Sequence, residues 1–358
     1  ESRSFRRGKW WSYTKSEAEA IRKNVGLIDI SAFTKHIIKG PGATRFLDWF
    51  TCNKLPRVNR INLTYALTPT GTVRSEYTIV RKNSEEYYLI SAGALTDYDQ
   101  DYLIKNAQDK MEEFGYIEIQ DVTSQFGAFS IAGPKSRELL QKIVTASDPK
   151  KLLSNESFPW LSCKNIELGM VPTLAIRVAY TGELGWEIHH PVEFQNNLFE
   201  LLLDAGKEFN LKLVGARAQN WLRQEKSYRA FGNELGRDAT LIEAGLSKFM
   251  YTGKDFLGKD ALATREIKVG CVTFLIEGPN DCDPWGREAV FKNGKKIGRL
   301  TSGGYSTTHK KSIAMGYLEK KYCTFGQHVE VKMLNKLWPA VITEDSPYDP
   351  KNVKILGK

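Results

Sequence analysis

The chain has 358 residues, of which 41% are hydrophobic and 26% charged, so it is long enough for two or three cooperating core units and lacks the bias of a disordered protein. No apolar run is long enough to cross a bilayer, and the arginine-rich N-terminal segment has no apolar signal core. We therefore expect a compact protein without a membrane partner, located in the cytoplasm or in an organelle matrix such as that of mitochondria.

The excess of 51 Lys and Arg over 42 Asp and Glu gives a formal charge of +9. This charge suits an anionic partner, which could be nucleic acid, a lipid surface or a polyanionic small molecule. The basic residues are dispersed, so a merely solubilising surface is an equal alternative. The five cysteines include no Cys-x-x-Cys pair and only five histidines occur, so the sequence predicts neither a disulfide framework nor a zinc or iron site.

An internal repeat spans the first part of the chain. Its matching features are Asp29-Ile30-Ser31, Gly40-Pro41 and Phe46-Leu47 in the first copy, and Asp121-Val122-Thr123, Gly133-Pro134 and Leu139-Leu140 in the second. In each copy a short alternating strand leads through Gly-Pro into a segment with helical spacing, which predicts two related units of an α+β layer. Chance similarity is the alternative, because Gly-Pro is a common turn signal.

Two strand-like runs between the copies, residues 77–80 and 87–91, flank the polar turn 81–86. This arrangement predicts a β-hairpin. Glu76 lies at its entrance.

Residues 180–188 place a carboxylate just after a glycine turn, at the start of an apolar strand. Gly182 and Gly185 permit a positive φ and a close backbone approach, and residues 186–189 have the composition of a strand. Such a strand can aim Glu187 into a cleft, where its carboxylate can accept two parallel N–H bonds from an amidine-like group such as the edge of a pterin. The alternative is a β-hairpin on which Glu187 faces solvent.

After Gly215 the pattern becomes helical, with Arg217 and Arg223 on roughly adjacent faces. From about residue 269, short branched strands alternate with glycine turns and predict a small β-barrel or sandwich. The run 338–342 reads as its last strand. We place a domain boundary near residue 266, which gives an α+β region over residues 1–265 and a C-terminal β-barrel domain over residues 266–358.

Several common motifs are missing from the sequence. There is no Gly-x-Gly-x-x-Gly after a strand, no phosphate loop ending in Gly-Lys-Ser/Thr, and no Gly-x-Ser-x-Gly nucleophile elbow. We therefore expect no FAD site in this chain, so redox chemistry would need another domain or subunit.

Seven sequence segments carry a more specific signal. They are Val25-Gly26-Leu27-Ile28-Asp29-Ile30-Ser31, Gly71-Thr72-Val73-Arg74-Ser75-Glu76, Ala132-Gly133-Pro134, residues 180–187, Gly215-Ala216-Arg217 with Leu222-Arg223-Gln224-Glu225, Lys254-Asp255-Phe256-Leu257-Gly258, and Thr301-Ser302-Gly303-Gly304-Tyr305-Ser306. In this order the set resembles the folate-binding family of the glycine-cleavage T-protein, an aminomethyltransferase. It looks closest to the C-terminal folate domains of dimethylglycine and sarcosine dehydrogenases.

The resemblance implies an α+β fold in the form of a three-part cloverleaf with a C-terminal β-barrel. Tetrahydrofolate would bind in a central hole, with its pterin inward and its glutamate tail toward solvent. Glu187 would hold the amino edge of the pterin, with Tyr180 stacking or hydrogen-bonding nearby. Arg223 matches a family arginine that meets the anionic side of the folate.

Three further residues are carried over with less weight. Phe33 and Leu67 match apolar positions that line the family pocket, although ordinary core packing explains them equally well. Arg217 ranks below Arg223, because it could equally be part of a helix-stabilising ion pair.

Glu76 is the residue that the resemblance assigns to catalysis. In the family, a carboxylate beside the reacting nitrogen of tetrahydrofolate accepts a hydrogen bond or a proton. The T-protein has paired aspartates in this loop, whereas this chain has Ser75 and Glu76. Glutamate is one methylene longer, and about 1 Å of misplacement can cost roughly a hundredfold in rate. Ala92 and Lys248 also replace the Asn and Trp expected for a true T-protein.

We therefore expect a tetrahydrofolate-dependent transferase that captures a carbon from a small methylated amine, delivered as an iminium, as 5,10-methylenetetrahydrofolate. A flavin-containing domain or subunit would generate the iminium. One alternative is a stand-alone aminomethyltransferase or demethylase. Another is a non-catalytic folate-binding factor in RNA modification, but that branch carries a reactive cysteine in Lys-Gly-Cys-Tyr-x-Gly-Gln, where this chain has residues 254–258 without cysteine. A nucleic-acid partner is therefore not expected.

Overall fold

The computed structural model describes residues 4–358, and its first part combines helices with antiparallel strands. In chain order its elements are α1 (Trp10–Lys23), β1 (Gly26–Asp29), β2 (Thr34–Lys39), α2 (Ala43–Phe50), β3 (Ile61–Leu67), β4 (Val73–Arg81), β5 (Glu86–Ser91), α3 (Thr96–Phe114), β6 (Glu118–Asp121), β7 (Phe126–Ala132), α4 (Ser136–Ile143) and α5 (Pro149–Leu152). The predicted hairpin is confirmed as β4 and β5. Glu76 lies inside β4 and not at its entrance, because pairing with β3 extends the strand back to Val73.

The second part continues the α+β region and then changes to strands. Its elements are β8 (Cys163–Leu168), β9 (Val171–Ile176), β10 (Gly185–Pro191), α6 (Gln195–Gly206), β11 (Lys212–Leu213), α7 (Ala216–Glu225), α8 (Lys259–Thr264), β12 (Val269–Ile276), β13 (Ala289–Lys292), β14 (Lys295–Ser306), β15 (Lys311–Glu319), β16 (His328–Met333), β17 (Lys336–Ile342) and α9 (Val353–Leu356). The strand predicted at 186–189, the helix after Gly215 and the closing strand at 338–342 are thus confirmed.

Two sheets form the body of the α+β region. One has five strands in the order β3-β4-β5-β2-β6, and the other has six in the order β11-β1-β7-β10-β9-β8. Helices α2 and α3 cover one face of the five-stranded sheet through a core that includes Phe46, Leu103 and Tyr77. Helices α4 and α6 cover one face of the six-stranded sheet around Leu139 and Trp186. Each sheet therefore keeps one face free of these helices.

Those two remaining faces contact each other through a third group of apolar residues. We call this group the intersheet cluster; its buried members are Ile61, Val80, Tyr88, Ile90, Val122, Cys163 and Ile176. Side chains of the pleated strands alternate between the faces of a sheet, so each strand contributes every second residue to this cluster. The cluster sets the relative position of the two sheets.

Both copies of the internal repeat fold as strand, strand and helix: β1–β2–α2 in the first and β6–β7–α4 in the second. The turns after their first strands are also alike. Asp29 Oδ1 accepts a hydrogen bond of 2.8 Å from the backbone N–H of Ser31, and Asp121 Oδ1 accepts one of the same length from that of Thr123. The sequence similarity therefore reflects a shared local structure.

The two copies exchange their first strands. Strand β1 lies beside β7 in the six-stranded sheet, and β6 lies beside β2 in the five-stranded sheet. The turn hydroxyls strengthen this exchange, because Ser31 Oγ accepts from the backbone N–H of Ala128 and Thr123 Oγ1 accepts from that of Lys35, each at 3.0 Å. Each copy thus completes the sheet of the other.

Strands β12 to β17 close into a C-terminal barrel in the order β12-β15-β14-β13-β16-β17. Its core includes Phe274, Leu300 and Val331. The barrel begins at Val269, close to the predicted boundary at 266. It packs on the α+β region through α7, whose Trp221 contacts the ring of Tyr305 edge-on at 5.9 Å. The mixed helix and sheet content with a closed barrel confirms the predicted fold class.

Three global features complete the description of residues 4–358. None of the helices in this range is both long and apolar enough to cross a membrane. The same residues contain no group of three or more His, Cys, Asp or Glu side chains that could hold a metal ion. All five cysteines are free thiols.

Candidate active site

The faces that meet in the intersheet cluster also carry the two predicted carboxylates. In β4, Glu76 precedes Val80 by four residues, so both point to the same face. In the six-stranded sheet, Glu187 of β10 is paired with Ile176 of β9, and paired residues share a face. Glu76 and Glu187 therefore belong to the two surfaces that face each other, and we call the space between them the intersheet cleft.

Glu76 is held by a neighbouring strand. The Tyr65 hydroxyl donates a hydrogen bond of 2.9 Å to Glu76 Oε1. Burial raises the pKa of Glu76 to about 7; the Tyr65 hydrogen bond and the Arg223 charge oppose this rise, and the Glu234 charge adds to it. A carboxyl group that titrates near neutrality can accept or donate a proton under physiological conditions. The geometry therefore gives Glu76 the properties of an acid–base group.

Arg223 lies near this carboxylate but is engaged by the protein itself. Its side chain is 2% exposed and forms an ion pair of 2.9 Å with Glu234. The same guanidinium also donates to the carbonyl of Tyr228 and to the hydroxyl of Ser302, each at 2.7 Å. The positive charge of Arg223 acts on Glu76 through space. Its N–H groups hold α7 to the segment that follows this helix and to the barrel.

Tyr180 lies in the same neighbourhood. Its ring stacks on that of Tyr228 at 5.8 Å, and its hydroxyl donates to the carbonyl of Arg229 at 2.8 Å. Burial raises its pKa, and the charges of Arg223 and Glu76 act on it as well. Tyr180 therefore remains a neutral phenol that packs beside the acid–base group.

Glu187 differs from Glu76 in having no firm partner. Its side chain is 18% exposed, and its carboxylate has no hydrogen bond to any of residues 4–358. His189 Nε2 lies 3.6 Å from Glu187 Oε2, beyond hydrogen-bond distance. A half-buried carboxylate with free lone pairs suits a ligand that brings its own N–H groups. These acceptor oxygens fit the N–H donors on the amino-pyrimidinone edge of a folate.

The other three predicted residues are placed differently. Leu67 is 1% exposed and packs with Val73 and Phe256 in a core cluster. Phe33 lies in the turn between β1 and β2 and is 37% exposed. Arg217 is exposed at the start of α7, with its guanidinium 4.3 Å from the centroid of the Trp10 ring. Within residues 4–358, no hydrogen bond or ion pair joins Arg217 to the other predicted residues.

Ser75, next to the catalytic candidate, points to the opposite face of β4. Its hydroxyl donates to Asp99 of α3, which also lies 3.4 Å from Arg74. Burial raises the pKa of Asp99. The departure from the family pattern at Ser75 therefore concerns the packing of β4 on α3, and Glu76 alone of the pair faces the cleft.

Four residues of this region were not predicted: Tyr65, Tyr88, His189 and Glu234. The period-two pattern places Tyr88 and His189 on the cleft faces of β5 and β10, and this signal could have been used. The pairing of Tyr65 with Glu76 depends on the register of β3 on β4. Glu234 lies in irregular backbone after α7 and has no comparable sequence signal.

A cavity of about 550 Å³ lies beside the cleft. Its lining includes Tyr88 and His189, together with Phe126, Leu174 and Lys82. Glu76, Tyr180 and Arg223 do not line it. His189 lines this cavity, and its Nε2 also lies 3.6 Å from Glu187 Oε2.

Comparisons with known proteins identify the family of the chain. Residues 2–254 match the GCVT N-terminal domain, and residues 270–349 match the glycine cleavage T-protein C-terminal barrel domain. The chain is 35% identical to an aminomethyltransferase of Caldanaerobacter subterraneus over 95% of the chain and 88% of that protein. It is 37% identical to the mitochondrial dimethylglycine dehydrogenase of Mus musculus over 96% of the chain. The chain spans 39% of the length of that dehydrogenase.

A solved structure supports the fold. The crystal structure of the glycine cleavage system aminomethyltransferase T from Bartonella henselae matches with a TM-score of 0.82 at 22% identity, covering 94% of this chain and 90% of that one. The chain belongs to the glycine-cleavage T-protein family, whose members are folate-dependent aminomethyltransferases. The predicted resemblance, the cloverleaf fold with its C-terminal barrel and the transferase class are confirmed.

Proposed function

We propose that this chain is a tetrahydrofolate-dependent one-carbon transferase that captures the carbon of an oxidised N-methyl amine. Two nitrogens of tetrahydrofolate would bond to the iminium carbon, with release of the demethylated amine and one proton, to give 5,10-methylenetetrahydrofolate. The similarity to dimethylglycine dehydrogenase over 96% of the chain supports a small methylated amine as the carbon source. A flavin-containing domain or subunit would produce the iminium, since the sequence motif for a dinucleotide site is missing. The cytoplasm or the mitochondrial matrix remains the expected location.

The observation that supports this proposal most directly is the raised pKa of Glu76. Its pKa of about 7 lets the carboxylate take up a proton from the reacting nitrogen and release it again near neutral pH. The Tyr65 hydroxyl fixes the direction of the carboxylate. Because Tyr65 constrains the longer glutamate side chain, Glu76 can replace the shorter aspartate of the family.

Binding is proposed to depend on Glu187. Its free carboxylate would accept N–H bonds from the pterin edge, while the Tyr180 ring packs beside the bound molecule. Arg223 contributes positive charge from its buried position and makes its hydrogen bonds to the protein. In this scheme Arg223 acts on the anionic side of the folate through its charge.

A stand-alone aminomethyltransferase is the second candidate. It is favoured by the aminomethyltransferase of Caldanaerobacter subterraneus, because this chain covers 88% of that protein. The substrate would then be an aminomethyl group presented directly or on a carrier protein. Turnover with an aminomethylated carrier and no flavoprotein would distinguish this candidate from the first.

A role in RNA modification finds less support. Cys323 lies in a segment that superficially resembles the reactive-cysteine motif, but its thiol is surrounded by the carbonyls of Gly270, Leu318 and Glu319. Burial raises its pKa, which disfavours the nucleophilic thiolate. At the position that matches the motif, Lys254 contacts Asp48 as part of the packing. Tight RNA binding at physiological salt would count against the enzyme proposal.

Calorimetric titration of tetrahydrofolate into the wild-type protein and into Glu187→Gln tests the binding site. Glutamine keeps the shape and removes the charge, so we expect a loss of about 1.5–3 kcal/mol, which is roughly ten- to a hundredfold in affinity. Glu193→Gln, in the turn after β10, is a matched control that should bind like the wild type. Equal binding by Glu187→Gln and the wild type would contradict the proposed pose.

A further inference from the structure

His189 occupies an unusual position beside Glu187. The two residues share one face of β10, and the His189 side chain is 1% exposed. Its Nδ1 lies 3.1 Å from the Tyr88 hydroxyl. Its Nε2 has no hydrogen-bond partner among residues 4–358 and lies 3.6 Å from Glu187 Oε2. The imidazole therefore stands between a phenol and the ligand-binding carboxylate.

Hydrogen-bond satisfaction selects one tautomer of this imidazole. If Tyr88 donates to Nδ1, the phenol proton is paired and the ring proton resides on Nε2, facing Glu187. The other neutral tautomer leaves the buried O–H of Tyr88 without an acceptor and turns a lone pair of Nε2 toward a carboxylate. Burial and the Glu187 charge raise the pKa of Tyr88, so its proton is available for donation.

We propose that His189, held in its Nε2–H tautomer by Tyr88, is a positioning residue for Glu187. This inference rests on the proposed function of Glu187 in folate binding. The Nε2–H group faces Glu187 Oε2 across 3.6 Å. When this distance shortens to that of a hydrogen bond, the N–H group restrains the carboxylate from one side. A carboxylate has about four acceptor sites, so the N–H bonds of a pterin edge can still form. His189 thereby orders a group that otherwise lacks a fixed partner.

The adjacent His190 provides an internal control. Its side chain points to the opposite face of β10, where Nε2 lies 2.7 Å from Gln195 Oε1 and the ring stacks on Phe129 at 5.2 Å. Both histidines are buried and belong to the same strand. Replacing either removes a buried imidazole, but only His189 is within reach of Glu187.

The tautomer is tested by ¹⁵N NMR of histidine-labelled protein without folate. We expect His189 to show a protonated Nε2 and an unprotonated Nδ1 at neutral pH. Tyr88→Phe removes one oxygen and keeps the ring, and it should give a mixture of tautomers. A wild-type His189 protonated on Nδ1, or a tautomer that does not respond to Tyr88→Phe, would overturn the proposal.

Calorimetry with tetrahydrofolate supplies the second arm. We expect His189→Phe to weaken binding about three- to tenfold, as for the loss of one ordinary hydrogen bond, and His190→Phe to bind like the wild type. Equal affinity of the wild type and His189→Phe would overturn the positioning role while the proposed function stands. If the wild type itself binds no tetrahydrofolate, the proposed function fails, and so does the role that rests on it; the NMR arm then reports only on the tautomer.

Discussion

The two sheets each contribute one carboxylate to the intersheet cleft, but they hold it in opposite ways. In the five-stranded sheet, Glu76 receives the Tyr65 hydroxyl at 2.9 Å and its pKa is raised to about 7. In the six-stranded sheet, Glu187 has no hydrogen-bond partner among residues 4–358. The first carboxylate thus has a pKa near neutrality, while the second has lone pairs that no described residue uses. Two similar groups thus acquire different chemistry from their surroundings.

The largest expected effect comes from Glu76→Gln. If Glu76 is the acid–base group, one-carbon transfer should fall by about 10²–10⁴-fold while tetrahydrofolate affinity is retained. A base acts in its deprotonated form, so the wild-type rate should rise with pH through about 7, and the variant should lack this rise. The assay measures methylene-folate formation with a flavoenzyme that oxidises dimethylglycine. A variant with the wild-type pH profile would place the base elsewhere.

Glu234→Gln should affect stability more than binding. It leaves the buried Arg223 charge without its ion-pair partner at 2.9 Å, so the free energy of unfolding should fall by about 3–5 kcal/mol. Urea denaturation measures this change. Glu319→Gln breaks the exposed pair with Lys295 and should leave the free energy of unfolding nearly unchanged. Equal effects of the two variants would show that the Glu76 side of the cleft does not depend on this buried pair.

Tyr65→Phe makes Glu76 more like Glu187 by removing its hydrogen bond. That bond lowers the pKa of Glu76, so its loss should move the pH dependence of transfer upward by about one unit. The rate at neutral pH should fall, and it should recover at higher pH. In the Glu76→Gln background the same change should have no further effect on the pH profile. A downward shift would reverse the assigned role of Tyr65.

The smallest effect is expected for Arg217→Ala. The guanidinium lies over the rings of Trp10 and Trp285 at 4.3 and 5.2 Å, and within residues 4–358 it has no hydrogen bond or ion pair with either carboxylate. Tetrahydrofolate affinity should therefore equal that of the wild type, while tryptophan fluorescence changes. A tenfold loss of affinity would restore Arg217 as a folate-binding residue.

Local features of the fold could be predicted because they depend on neighbouring residues. The strand-like runs at 77–80 and 87–91 around a polar turn predict β4 and β5, and the glycine turn at 182–185 predicts the start of β10. Glycine-separated branched strands predict the barrel. The exact start of β4 could not be predicted, because Val73 is brought into the strand by pairing with β3.

The surroundings of the site could not be predicted in the same way. Pattern alone leaves open whether Glu187 faces solvent or a cleft, and the pairing with Ile176 and the packing of two sheets decide this. Arg223 could be identified from its motif, but its partner Glu234 lies in irregular backbone without a periodic signal. The family resemblance thus identifies the candidate site residues, whereas their hydrogen-bond and ion-pair partners depend on tertiary packing.

The exchange of first strands between the two repeats also has a consequence for synthesis on the ribosome. When the first repeat has emerged, β1 still lacks β7, and β2 has an open edge where β6 will pair. An unpaired strand edge invites pairing with other chains. The nascent protein must therefore pass through a stage in which its first repeat is incomplete, and co-translational folding of that repeat cannot finish before about 100 further residues have followed β1, since β7 begins at Phe126.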